Sequence, residues 1–176
     1  ALAESELIGM KSMHILAAAF IAAAPFSAVQ GKDKMTATTI QQTILSAEGA
    51  KIALAAAERA AIAKGIKVSI AVMDANGNML AFQRMGGAML VSIAASQDKA
   101  HTAATLGAPS KAFQDIVDQG KPSILAVKGI SPLQGGVPIT IGGVVVGGIG
   151  GSGASAEDDE IIARAGADAV AAAAGK

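Results

Sequence analysis

The chain has 176 residues, enough for one domain with a sizeable core. Lys plus Arg and Asp plus Glu number 14 each, so the formal net charge of +0 excludes the basic footprint of a nucleic-acid-binding domain. Cys 0 excludes disulfides and thiolate chemistry, and His 2 excludes a polyhistidine metal site within one chain. Hydrophobic residues make up 52% and aromatics only 2%. The core is therefore packed with alanine and aliphatic side chains, small enough for helices to approach a sheet closely.

Residues 10–28 read as a secretory signal: Lys11 gives the positive end, an apolar run follows, and Pro25 to Ala28 form a small-residue exit. An apolar helix belonging to the fold is the alternative. The run is too short and alanine-rich for a stable membrane span. Residues 1–34 are thus set apart as a signal-like or upstream extension, and residues 35–176 as one domain. Use of the signal places the protein in the periplasm or outside the cell; otherwise it is cytoplasmic.

Thr39-Ile-Gln-Gln42 has the capping-box pattern, so a helix is expected from there to Lys64, closed by Gly65. Ile40, Ile44, Ile52, Ala55 and Ile62 fall on one broad side, the expected core face. Val68, Ile70 and Val72 alternate with Ser69, Ala71 and Met73, which predicts a strand with one face in the core. Asp74-Ala-Asn-Gly77 predicts a tight turn, with residues 78–85 returning antiparallel to a Gly86-Gly87 break. A helix over residues 92–106 ends at Gly107, and Ser110 caps a short helix through Val117. Residues 123–136 read as loop. Residues 139–141 and 144–149 predict strands joined by Gly142-Gly143, and a terminal helix over 157–174 follows the capping residue Ser155. Antiparallel hairpins with helices between them predict an α+β layered domain.

Gly147-Gly-Ile-Gly-Gly-Ser-Gly153 lacks the Lys-Ser/Thr of a phosphate loop, which favours close packing or a backbone-lined pocket over a nucleotide site. Glu157, Asp158, Asp159 and Glu160 open the last helix, where they offset the helix dipole; metal binding is the competing reading. Lys99-Ala-His-Thr102 carries the most reactive side chains. Lys99 and Thr102 share a helical face, and His101 points away from Lys99. A neutral imidazole is a base or an iron ligand, and the alternative for this helix is an ordinary surface lysine, an exposed histidine and a threonine bonded back to the helix. Arg84, at a strand end, is suited to clamping a carboxylate, with a salt bridge or a solvated strand edge as its alternative. Ser92, Ser96, Asp98 and His101 lie in one helix, which opposes the geometry of a catalytic triad.

Taken in order, Val72-Met-Asp-Ala-Asn-Gly77, Arg84-Met85, Lys99-Ala-His-Thr-Ala103, Gly135-Gly-Val-Pro-Ile139 and Gly147-Gly-Ile-Gly-Gly-Ser-Gly153 resemble the GlcG/HbpS-like family, also called the haem-degrading or DUF336 family. The resemblance covers residues 39–174. It implies a profilin-like α/β/α domain, an antiparallel sheet of about five strands covered by helices, and assembly into homodimers or larger homo-oligomers. It further implies haem as cofactor and maps the threonine associated with haem binding onto Thr102. Lys99, His101 and Arg84 then become neighbours of the iron or the propionates, with Thr102 and His101 the candidate iron ligands. Many members have Arg-Met-Asp-Gly where this chain has Arg84-Met-Gly-Gly87.

The expected function is accordingly haem (tetrapyrrole) binding, in a sensory, protective or haem-degrading role. Met85 and Met89 are candidates to line the haem slot. The alternatives are a small isomerase-like enzyme acting on a carboxylated metabolite, with Arg84 and Lys99 holding the substrate and His101 moving a proton, and a non-catalytic oligomer. A slab-shaped cavity favours haem, whereas a small cationic pocket favours the enzyme.

Overall fold

The computed structural model describes residues 38–175; the signal-like residues 10–28 lie outside them. Helix α1 runs over Ala47–Ala63 and starts later than Thr39-Ile-Gln-Gln42 suggests. Ser46 is the true cap, its hydroxyl accepting the Gly49 N–H at 3.1 Å. The preceding residue explains the delay: the Leu45 amide donates to the Val146 carbonyl at 2.7 Å, and this tie to the sheet holds the chain out of the helix. Residues Gln41–Lys176 form one compact unit.

β1 (Ser69–Asp74) turns into β2 (Met79–Arg84). The Asp74 carboxylate accepts both the Asn76 and Asn78 amides at 2.9 Å, and Gly77 takes φ 80°, so the turn closes as its residues predict. α2 (Val91–Leu106) stops at Gly107, φ 66°. α3 (Lys111–Asp118) and a 3-10 turn at Pro122–Ala126 lead to β3 (Gly136–Ile141), β4 (Val144–Ser152) and α4 (Ala156–Ala174). Gly142 and Gly143 at φ 58° and 83° make the β3–β4 turn.

The sheet is antiparallel with order β2-β1-β4-β3, so it has four strands among the described residues where about five were expected. α1 and α4 pack against each other and cover one face, while α2 covers the other. Both faces of β1 are consequently buried, against the one expected. Val68, Ile70 and Val72 meet the α1 and α4 side; Ala71 and Met73 meet Ala100 and Ala104 of α2.

The core face of α1 is also not the one its isoleucines mark. Ala50, Ala53, Ala57 and Ala61 are buried and Ile52 packs partly buried against the core, whereas Ile62 is exposed and Ile40 and Ile44, also exposed, fall before the helix. The cause is the approach of α4: a Cβ on Gly166 would lie 2.7 Å from the Ala53 carbonyl oxygen, so only alanines fit between the helices. The glycines of β4 answer to the same constraint on the other face. A Cβ on Gly148 would lie 2.5 Å from the Ala104 nitrogen, and one on Gly150 would overlap the Ser96 carbonyl oxygen. Close packing of a helix is what this strand's glycines serve.

Candidate functional site

α2 carries the reactive residues, and the side chains around it decide what each can do. Its buried stripe is Ser92, Ser96, Lys99, Ala100 and Ala103, facing β4. Ser69 and Ser92 share a buried hydroxyl hydrogen bond of 2.7 Å that pins α2 to β1.

Lys99 lies on this stripe, with its ammonium 2.8 Å from the Asp159 carboxylate and 3.1 Å from the Gly151 carbonyl oxygen. The two side chains are only 6% and 3% exposed. The second Asp159 oxygen accepts the Ala154 N–H at 3.0 Å. Asp159 thus holds a buried cation in addition to standing at the positive end of α4. Its neighbours are also engaged: Asp158 pairs with Lys64 at 2.8 Å, and Glu160 pairs with Arg164 at 2.7 Å. No group of three or more His, Cys, Asp or Glu suited to a metal occurs among the described residues.

Thr102 is fully buried. Its hydroxyl donates to the Asp98 carbonyl oxygen and accepts the Ser131 N–H, both at 2.8 Å. Arg84 sits at the exposed end of β2, and its Nε and Nη2 donate to the Ala88 carbonyl oxygen at 3.0 and 2.6 Å, clasping the Gly86-Gly87 break. Lys99 and Thr102 do share the buried side of α2, but they engage opposite partners. Met85 belongs to the main core, while Met89 is exposed.

His101 faces outward, into a cleft of about 650 Å³ bounded by Asp98 and residues 129–133. Ile130, Pro132 and Leu133 supply its apolar wall. Nδ1 lies 3.2 Å from the Gly129 carbonyl oxygen; donation to that oxygen puts the proton on Nδ1 and leaves Nε2 with its lone pair. A Cβ on Gly77 would sit 2.8 Å from Nε2, so the β1–β2 turn passes close to that edge of the ring and only glycine fits there. The turn is stiffened by Asp74. Burial works to raise the Asp74 pKa, but the Asn78 backbone and side chain and the Asn76 amide outweigh it and hold the carboxyl below its ordinary range.

The far wall of the cleft escapes sequence reasoning. Residues 129–133 read only as loop, yet Thr102 holds Ser131 and the Ser110 hydroxyl donates to the Leu133 carbonyl oxygen at 2.6 Å. Ser110 is therefore a loop anchor, and makes no side-chain cap on α3. Nothing in residues 129–133 marks them as a wall.

Comparison with known proteins places this geometry among relatives. A model of the haem degrading protein HbpS-like family matches residues 45–168. Protein GlcG of Escherichia coli is 33% identical over 109 residues, covering 62% of this chain and 81% of that protein. A double mutant of HbpS from Streptomyces reticuli superposes with a TM-score of 0.70 at 39% identity, over 76% of this chain and 91% of that one. PduOC in complex with haem superposes with a TM-score of 0.65 at 29% identity, over 72% of this chain and 95% of that one. With its family model spanning α1 to the middle of α4, the chain belongs to the HbpS-like, or GlcG/HbpS (DUF336), family.

Proposed function

We propose that the protein binds haem in the cleft between α2 and residues 129–133, in a sensory or protective role. The observation that carries this reading is His101: it lines the cleft with its Nδ1 occupied by Gly129, and apolar side chains stand beside it. Imidazole is a strong iron ligand, and a volume of about 650 Å³ lies within the range of cofactor pockets. Bound haem would supply an iron centre for ligand sensing or oxygen chemistry. His101 would hold the iron, and Thr102 would act as a positioning residue that fixes Ser131 and the cleft wall. Lys99 and Arg84, engaged by Asp159 and Ala88, would support the frame in place of pairing with propionates. A family relative in complex with haem supports the same ligand class.

The cleft lining contains Asp98 and His101 and neither Lys nor Arg, so a small carboxylated metabolite finds no cationic partner there, and haem propionates would have to reach out to solvent. The layering of helices on an antiparallel sheet supports a profilin-like reading of the domain. The neutral charge balance and the exposed Ile40, Ile62, Leu90 and Val91 support assembly into a homodimer or larger homo-oligomer. Haem titration into the parent and into separate His101→Ala and Thr102→Ala variants, each first checked for folding, tests the site. His101→Ala should abolish the ligand-field change in the absorption spectrum, whereas Thr102→Ala should weaken binding without changing the spectral type. Loss of the spectral type only in Thr102→Ala would move the iron to the threonine, and no saturable change in the parent would sink the haem reading.

A further inference from the structure

The Lys99–Asp159 pair lies at the side of a second, smaller cleft, which shares only Leu133 with the lining of the cleft at His101. Its volume is about 230 Å³, and Gln114, Gln134, Ser152 and Ala95 complete its polar and apolar walls. Several hydrogen-bonding valences there are unspent. An ammonium has three N–H donors, and Lys99 places two of them, on Asp159 and Gly151. The Asp159 carboxylate accepts one bond at each oxygen, leaving further lone pairs. Gln114 spends its carbonyl oxygen on the Gln134 N–H and keeps its amide donor. Gln134 spends its amide on Glu160 and keeps its carbonyl.

From this arrangement we infer a second binding site, whose ligand is a small uncharged polyol. The cleft offers donors and acceptors side by side with a formal charge that cancels. A monoanion drawn to Lys99 meets Asp159 within the same ion pair, and a cation drawn to Asp159 meets Lys99, so neither gains a net attraction. A hydroxyl donates and accepts at once, and adjacent hydroxyls can span the pair and the two amides. At about 230 Å³ the cleft admits only a small ligand, and a four-carbon tetrol carries enough adjacent hydroxyls to reach both the pair and the amides.

Erythritol is therefore the probe, titrated into the parent protein while backbone and side-chain amide resonances are followed. The expected result is a set of saturable shifts at Gly153, Ala154 and the Gln114 and Gln134 side-chain amides, with Kd of about a millimolar for a ligand of this size. Ala95→Leu fills the cleft from α2 while keeping both members of the ion pair and should weaken binding at least tenfold. Gln114→Ala removes one donor and should weaken it severalfold, which keeps the test decisive should the leucine variant fail to fold. Shifts that do not saturate, or that are equal in the parent and both variants, mean a cosolvent effect and overturn the site. Lactate or glycine binding there more tightly than erythritol overturns the ligand class.

Discussion

Removing one member of the Lys99–Asp159 pair should be the most damaging single change on α2. Lys99→Met keeps the stem and the helix propensity but strips the carboxylate of its cation, leaving Asp159 with the Ala154 N–H at 3.0 Å. Because both side chains are almost wholly withdrawn from water, solvent cannot take over the lost interaction. Breaking such a pair costs about 3–5 kcal/mol. For a unit of this length each kcal/mol moves Tm by roughly 3–5 °C, so a fall of about 10–20 °C is expected. Asp159→Asn should cost a similar amount, since it strands the ammonium instead. Combining the two removes both charges, and the double variant should be more stable than the sum of the single losses by at least about 2 kcal/mol. Thermal and denaturant unfolding of the four proteins measures the cycle. Single losses below about 1 kcal/mol, or strict additivity, would refute the buried-pair reasoning. The haem spectrum of folded Lys99→Met should match that of the parent, because the ammonium is turned toward α4.

The glycines of β4 and of the β3–β4 turn should respond differently. Gly148→Ala drives a methyl into the α2 backbone and should cost about 1–3 kcal/mol with a broader unfolding transition, whereas Gly142→Ala meets open space and should cost only its positive-φ strain, about 1 kcal/mol; equal losses would contradict the close-packing account. Acid should also act through two carboxyls. The Lys64 side chain, then Ser155, holds the Asp158 pKa below 3.8, and hydrogen bonds overcome burial to hold Asp74 below the same value. Their stabilisation is full above the unfolded value near 3.8 and is lost as pH falls from there through the lower folded values. An Asp74→Asn, Asp158→Asn double variant should show a flatter stability profile below pH about 4 than the parent, and an unchanged slope would remove both carboxyls from the account. Sedimentation at micromolar concentration should show a dimer or larger species; a monomer alone at physiological salt would end the oligomer proposal.

Asp74 to Gly77, Gly107, Gly142-Gly143 and Ser155 could be read from the sequence because their work is done within a few residues. A side-chain oxygen reaching a nearby amide, or a φ that only glycine takes cheaply, needs no knowledge of the rest of the fold. The element order and the α+β class follow from those stops and from the alternation of Val68, Ile70 and Val72. Residues that act across the chain were decided only by tertiary structure. The expected isoleucine face of α1 gave way to an alanine face, with only Ile52 partly buried, since Gly166 of α4 lies too close for anything larger beside Ala53. Lys99 looked available to a ligand until Asp159, sixty residues further on, was brought to 2.8 Å. The cleft at His101 is built from α2 and residues 129–133, with the β1–β2 turn packed against the imidazole, and no spacing rule joins these segments. Local sterics and hydrogen bonds set where each element stops; the close approach of helices to a glycine-rich sheet determined which side chains were buried and which were left facing a cleft.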